Sequence, residues 1–452
     1  MASQQETPSS ISGGWRSPLA HKPPAWPVLH ALKVTGVAVT LLLGLMACNA
    51  WAQGFDFPLQ DEVLMTDIDM AASGNEGRLG SAAAMGNDVV IMGAPAKSGG
   101  GATYGYRITP GRQLQFVREY TAAAASPSRY GGTLVIDKDL LAVANASDDD
   151  PIEIYQRSGN DFVLLKVIDP PTIEGVTVRR FGQAMDLEDG FLIVGDPTAN
   201  VDGVGNAGVA MVFSQNAGGQ NNWGLEGVLT NPTGQGSFGK TVAVGRTIAV
   251  VGDPADERAV LYERGDPVAW DFSRFLLPVN PQDDDSFGST VAAEGDIVAV
   301  GATNGNNAVQ PSNSGSVHIF SRNAGGPGQF GQVAEVVGSQ AEFIDEFGAS
   351  MRIRQGVLAV GSPGANRAYL FAIDRSVNMW REVAVVEPPA VPYFNANFGS
   401  AVDYWRGSLV VGARTWNDIS SNRTGAVFLY ENELVRRCGG FNIVFCDFFE
   451  AP

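Results

Sequence analysis

Acidic side chains supply most of the chemistry this sequence offers. Two triplets stand at Asp148-Asp149-Asp150 and Asp283-Asp284-Asp285, with an acidic pair at Asp345-Glu346. Clustered carboxylates suit three tasks: weak oxygen-only binding of Ca²⁺, attraction of a basic partner, or acid–base work by a pair at fixed spacing on a glycosidic bond. The plainer reading of such runs is solvated loop acid. Histidine is nearly absent: His21 and His30 precede an apolar segment, which leaves His318. A multi-His metal site within one chain is therefore excluded. A Ser-His-Asp triad would have to use His318, and no G-x-S-x-G elbow exists to serve it. No stretch rises to a catalytic signature.

Two short matches are weighed by their context. Gly234 to Thr241 reads GQGSFGKT, the letters of a phosphate loop. That loop must leave a strand and open a helix, so that backbone N–H groups and the helix dipole meet phosphate. Here the segment opens a strand, and Phe238-Gly239-Lys240-Thr241 aligns with Phe287-Gly288-Ser289-Thr290. The tripeptide Arg264-Gly265-Asp266 reads as a polar hairpin turn before Pro267, which restricts Asp266.

The elements that must position any of these groups are written seven times. The openings are Leu79-Gly80, Tyr130-Gly131, Phe181-Gly182, Phe238-Gly239, Phe287-Gly288, Phe347-Gly348 and Phe398-Gly399, at intervals of 51, 51, 57, 49, 60 and 51. A period near 50 with an aromatic-Gly mark is the signature of a radial repeat. Each opening leads to a short strand and a tight turn such as Gly295-Asp296 or Arg406-Gly407. A β-branched apolar run follows, such as IVAVGAT from Ile297, which suits a strand buried on both faces. A third strand ends in an aromatic: Tyr106, Tyr155, Phe213, Tyr262, Phe320, Phe371 or Tyr430. A weaker fourth strand follows in six copies. The seventh lacks it, and LQDEV from Leu59 stands ahead of the first opening as a fourth strand should. The expectation is an all-β, seven-bladed β-propeller of four-stranded antiparallel blades, closed by that N-terminal strand, which hides the edges an open ring would expose.

Phe-Gly, then Val-Gly-Ala-Pro, then a strand ending in an aromatic resembles the FG-GAP repeat. The resemblance covers roughly residues 59 to 430. It implies the propeller of integrin α subunits and many bacterial surface proteins, hence a binding or adhesion role. Some members hold Ca²⁺ in an Asp-rich loop between strands one and two. Here those turns are too short to wrap an ion, so that site is not carried over. Copy two departs further, with Ala144-Asn145-Ala146 where Gly-Ala-Pro stands in the repeat.

The ends complete the reading. Val34 to Ala47 is apolar, and Ala50-Trp51-Ala52 offers a cleavage site before Gln53, so residues 1–52 read as an export segment. An alternative is a lipoprotein box ending at Cys48. Residues 53–436 form the propeller and 437–452 a tail bounded by Cys438 and Cys446. In an oxidising compartment these two would form a disulfide worth roughly 2–3 kcal/mol. Formal net charge is −18, and beyond residue 52 the chain holds 27 basic against 47 acidic residues. Such a surface argues against nucleic acid and anionic membranes as partners. The expected protein is secreted, periplasmic or on the cell surface. In this reading it binds a protein or glycan through a loop-rich face, with no chemistry and no cofactor beyond weak Ca²⁺. The alternatives are a propeller enzyme acting on polysaccharide and a structural part of a surface assembly.

Overall fold

The aromatic-Gly openings fall where each blade begins. The computed structural model describes residues 58–64, 77–123, 129–145, 149–233, 236–266, 268–306, 313–340, 342–374, 379–389, 396–416 and 424–431. Blade five shows the plan: Phe287–Glu294, Ile297–Ala302, Ser316–Arg322 and Phe330–Val336 pair antiparallel in chain order. Blades one to four and blade six repeat it over residues 82–120, 130–168, 184–230, 241–276 and 350–386. Blade seven is closed as expected. Leu59–Leu64 pairs antiparallel with Ala426–Glu431, the third strand of the last blade, with Leu59 opposite Tyr430 and Leu64 opposite Ala426. The export segment, Cys48, Cys438, Cys446 and Asp148 lie outside the described residues.

Two local rules explain why the sequence folds this way. Three of the seven short turns between strands one and two carry paired positive φ values, at Asp189-Gly190, Gln355-Gly356 and Arg406-Gly407. That pairing gives the hairpin turn whose twist matches its strands. The aromatic that ends strand three sits at a β-bulge in six blades, for instance between Ile319 and Phe320 or between Leu370 and Phe371. The extra residue on the fourth strand turns the outer edge and increases its twist.

Packing then follows from the second strands. Val89–Ala94, Phe191–Asp196 and Val357–Ser362 are buried along all six residues, as both-face burial of a β-branched run requires. The apolar residues gather in seven clusters, each joining two adjoining blades, including one that joins blade seven to blade one. The core is therefore a ring of blade-to-blade interfaces.

The aromatic-Gly pair is the joint. Phe287 is fully buried and meets Phe320 of its own blade edge-on, with ring centroids 6.3 Å apart. The same contact recurs as Phe181–Phe213, Phe238–Tyr262, Phe347–Phe371 and Phe398–Tyr430. Gly288 has φ +91°, and a Cβ there would stand 2.1 Å from the Arg258 carbonyl oxygen of blade four. Only glycine allows both that φ and that approach.

Candidate functional site

In this topology the loops between strands two and three emerge at the same end as the blade-to-blade connections. Hydrogen bonds join the two sets directly: Asn304 N–H donates to the Asp285 carbonyl at 3.0 Å, and Ser362 Oγ donates to that of Asp345 at 2.8 Å. Asp196, at the end of a second strand, accepts from the N–H groups of Arg179 and Arg180 in the connection before its own blade. Loop-rich face and scaffold are thus tied by short polar contacts.

The predicted acids divide into two kinds on this face. Asp285 and Asp345 are buried and hold the loops. The Asp285 carboxylate accepts the Phe287 N–H at 2.8 Å, that of Asp345 accepts the Glu342 N–H, and burial raises the pKa of both. Asp149, Asp283, Asp284 and Glu346 are exposed. Asp150 is half-buried beside Asn145, whose side-chain amide donates to it. The two triplets belong to different blades and are not brought together.

What the structure does bring together is a groove between blades four and five. Asp256 and Glu257, from the strand two-to-three loop of blade four, line it with Asp283 and Asp284 from the following connection, around a volume of about 670 Å³. Arg258 pairs with Asp256 at 2.6 Å and with buried Asp253 at 2.9 Å. Among the described residues, the other three groove carboxylates have no ion-pair partner. Leu277, Val279, Phe343 and Ile344 stand more than half exposed in connections on the same face. Among the described residues, no group of three or more His, Cys, Asp or Glu side chains is placed to hold a metal ion.

A second charged site was missed in the sequence. The first strands of all seven blades line a central cavity of about 230 Å³. Five and seven residues after each opening aromatic, these strands carry Asp137, Asp186, Glu188, Glu294, Arg352, Arg354 and Asp403. The carboxylates bracket neighbouring blades. Asp403 accepts the Met85 N–H at 2.8 Å, Asp186 the Val244 N–H at 3.0 Å, Asp137 the Asp189 N–H at 3.0 Å, and Glu294 the Gln355 N–H at 2.6 Å. Arg352 reaches Asp186 across the cavity, and Arg354 donates to the carbonyls of Met85 and Ile136. Burial opposes the Arg352 charge, but Asp186 and Asp403 outweigh it and keep its pKa high. At Arg354, burial and the Arg352 charge together lower it. The signal was present in the repeats: aligned on their aromatics, they place these charges at two shared positions.

The remaining candidates are structural. His318 is buried in strand three of blade five, with its ring edge-on to Phe287 at 5.3 Å and Nε2 3.1 Å from Ser316 Oγ. Burial lowers its pKa to about 4. Thr241–Val244 is a strand, so no helix follows Lys240 to cradle phosphate. Arg264 is held by Glu226 at 2.7 Å and stacks over Phe191, which leaves its tripeptide an occupied turn. Among the described residues, no helix is long and apolar enough to cross a membrane.

Comparison with known proteins bears on the fold. A family model described as "FG-GAP repeat" matches residues 270–320, which span the Phe287-Gly288 opening and the first three strands of blade five. No curated protein matches the chain. Among solved structures, a protein from Lactobacillus plantarum is similar at 14% identity and TM-score 0.45, covering 68% of this chain and 84% of that one. The WD40 domain of Toxoplasma gondii coronin is similar at 10% identity and TM-score 0.48, covering 84% of this chain and 88% of that one. Likenesses this distant bear on no functional question. The match at blade five and the six further four-stranded blades, five of them opening on the same aromatic-Gly pair, together make this chain a seven-bladed β-propeller that carries the FG-GAP repeat.

Proposed function

We propose that this chain is an exported binding propeller, without catalysis, whose loop-rich face takes a basic protein partner at the groove between blades four and five. One observation carries the reading. Asp256, Glu257, Asp283 and Asp284 line a single groove, and exposed Leu277, Val279, Phe343 and Ile344 share its face. Exposed apolar side chains on the same face as carboxylates without counter-ions, here Glu257, Asp283 and Asp284 among the described residues, are a usual composition of a docking surface. The apolar Val34–Ala47 run and the Ala50-Trp51-Ala52 site support export, with lipidation at Cys48 as the alternative. A Cys438–Cys446 disulfide fits the same compartment. Weak Ca²⁺ binding belongs to the same groove, since exposed carboxylates without a built loop hold a hard cation only at millimolar concentration.

The test is an array of basic proteins and glycans, read at low and high salt with wild type and the Asp283→Asn/Asp284→Asn variant. Neither carboxylate holds the fold, unlike that of Asp285. Basic proteins should bind, weaken as salt rises, and bind the variant roughly tenfold less well, because exposed charges are screened over about 8 Å at physiological ionic strength. Binding that ignores both salt and substitution would overturn the assignment of this groove. Binding confined to glycans, with turnover in a parallel hydrolase and lyase screen, would replace it by the polysaccharide-enzyme reading. Calorimetric titration with Ca²⁺ belongs beside the array, and equal heats from the two proteins would remove the calcium assignment.

A further inference from the structure

The seven copies serve as controls for one another, and blade two breaks their pattern at three positions. Its opening aromatic is Tyr130, where five blades have Phe and blade one has Leu79. The glycine near the end of the second strand in six blades is Ala144, followed by Asn145. Two residues before the aromatic of strand three it carries Glu153, where the others have Tyr104, Met211, Val260, His318, Tyr369 and Phe428.

These departures converge. Tyr130 Oη donates to a Glu153 carboxylate oxygen at 2.7 Å, and the Tyr155 hydroxyl donates to the same oxygen. The Ala123 N–H donates to the other oxygen at 2.6 Å. In blades three to seven the two ring positions meet edge-on; in blade two their hydroxyls lie 2.9 Å apart and both donate to the Glu153 carboxylate. Glu153 is 3% exposed and supplies, with Tyr130, Asn145 and Asp150, the polar side chains lining a cavity of about 270 Å³ whose walls include Pro151 and Val167. Among the described residues, neither Glu153 nor Asp150 has an ion-pair partner. The only bases from residue 121 to 153 are Arg129 and Lys138, and Lys138 pairs with Asp189.

A buried carboxylate without a counter-ion is costly, and neutral donors offset only part of that cost. Glu153 accepts three hydrogen bonds, fewer than the four its oxygens can take. Two carboxylates are too few for a divalent cation, which requires six or more oxygens or several retained waters. The walls are apolar, which suits a cation carried on a hydrocarbon stem. The volume lies below that of drug-sized pockets, so the occupant is the size of one side chain. We propose that this cavity binds a short alkylammonium group, with Glu153 and Asp150 supplying the counter-charge and Pro151 and Val167 lining the stem. The site is separate from the groove between blades four and five.

The test is calorimetric titration of the mature protein with n-butylammonium and with 1-butanol, its neutral analogue of the same length. Saturable one-site binding of the ammonium, at least about tenfold tighter than the alcohol, is the expected result. Glu153→Gln should weaken it by about tenfold or more. Glu153→Met, which installs the residue blade three uses at the same position, should abolish it and also lower the melting temperature, because the Tyr155 hydroxyl and the Ala123 N–H lose their acceptor. Equal affinity for ammonium and alcohol, unchanged affinity in Glu153→Gln, or no saturable heat would each overturn the proposal. If both Glu153 variants fail to fold, the ammonium–alcohol comparison on wild type decides, with Asp150→Asn expected to weaken binding. Competition by the peptide Gly-Lys-Gly supports the site and assigns the stem to a polypeptide lysine. Competition by free amines alone supports it and assigns a small-molecule amine.

Discussion

Phe287 shows how much rests on single residues in this chain. Its ring fills the joint between strands one and three of its blade, with Gly288 beside it pressed against the backbone of the preceding blade. Truncation to Ala would leave a cavity where the ring edge met Phe320 and His318. Phe287→Ala should cost about 3–5 kcal/mol in denaturant unfolding, the usual range for a buried Phe. A loss below about 1 kcal/mol would show that the joint repacks freely. His318 belongs to the same cluster, which explains why burial, and no carboxylate partner, sets its state.

At the scale of the element, the closing strand is the most exposed weakness of the ring. Ala426–Glu431 is buried along its length, and Leu59–Leu64 is its hydrogen-bonded partner on the outer side. Without that partner a row of backbone donors and acceptors would face water and other chains. A chain lacking residues 53–64 should melt at least about 5 °C lower and associate at high concentration, as measured by scanning calorimetry and light scattering. An unchanged melting curve with a monomeric profile would show that the last blade stands on three strands.

At the scale of the whole molecule, the charged central cavity exists only once all seven first strands are in place. At the end of the first strand of blade three, burial first and the Asp186 charge second push the Glu188 carboxyl up to about 8. The folded state therefore keeps this proton to higher pH than the unfolded chain, whose ordinary value is 4.5. The associated stability is fully present below that ordinary value and is lost as pH rises through about 8. Glu188→Gln removes the titration. The variant should match wild type in acid and melt above it by pH 8, with the gap widening across the interval. A gap independent of pH would show that Glu188 is ionised throughout in the folded protein.

The repeats made the architecture legible because their signals are local. Aromatic-Gly openings, turn residues and β-branched runs act through φ preference and burial within a few residues, so blade number, strand order and the closing strand were readable from Leu59 to Tyr430. That the connections carrying Asp149–Asp150, Asp283–Asp285 and Asp345–Glu346 share one face was readable for the same reason, since antiparallel order alone decides it. What the sequence did not decide is which carboxylate does what. Asp283 and Asp285 are neighbours of identical type, yet one faces water and the other caps the Phe287 backbone, because a single loop residue at positive φ, Asp284, turns the chain between them. Asp186 and Arg352 meet although 166 residues separate them, because ring closure sets blade six across the cavity from blade three. Likewise Tyr130, Asn145, Asp150 and Glu153 become one pocket only when five stretches of chain, at residues 122–123, 130, 145, 150–153 and 167, converge at the loop-rich end of blade two. Local periodicity fixes strands and turns; convergence of charges from distant strands is a property of the closed ring.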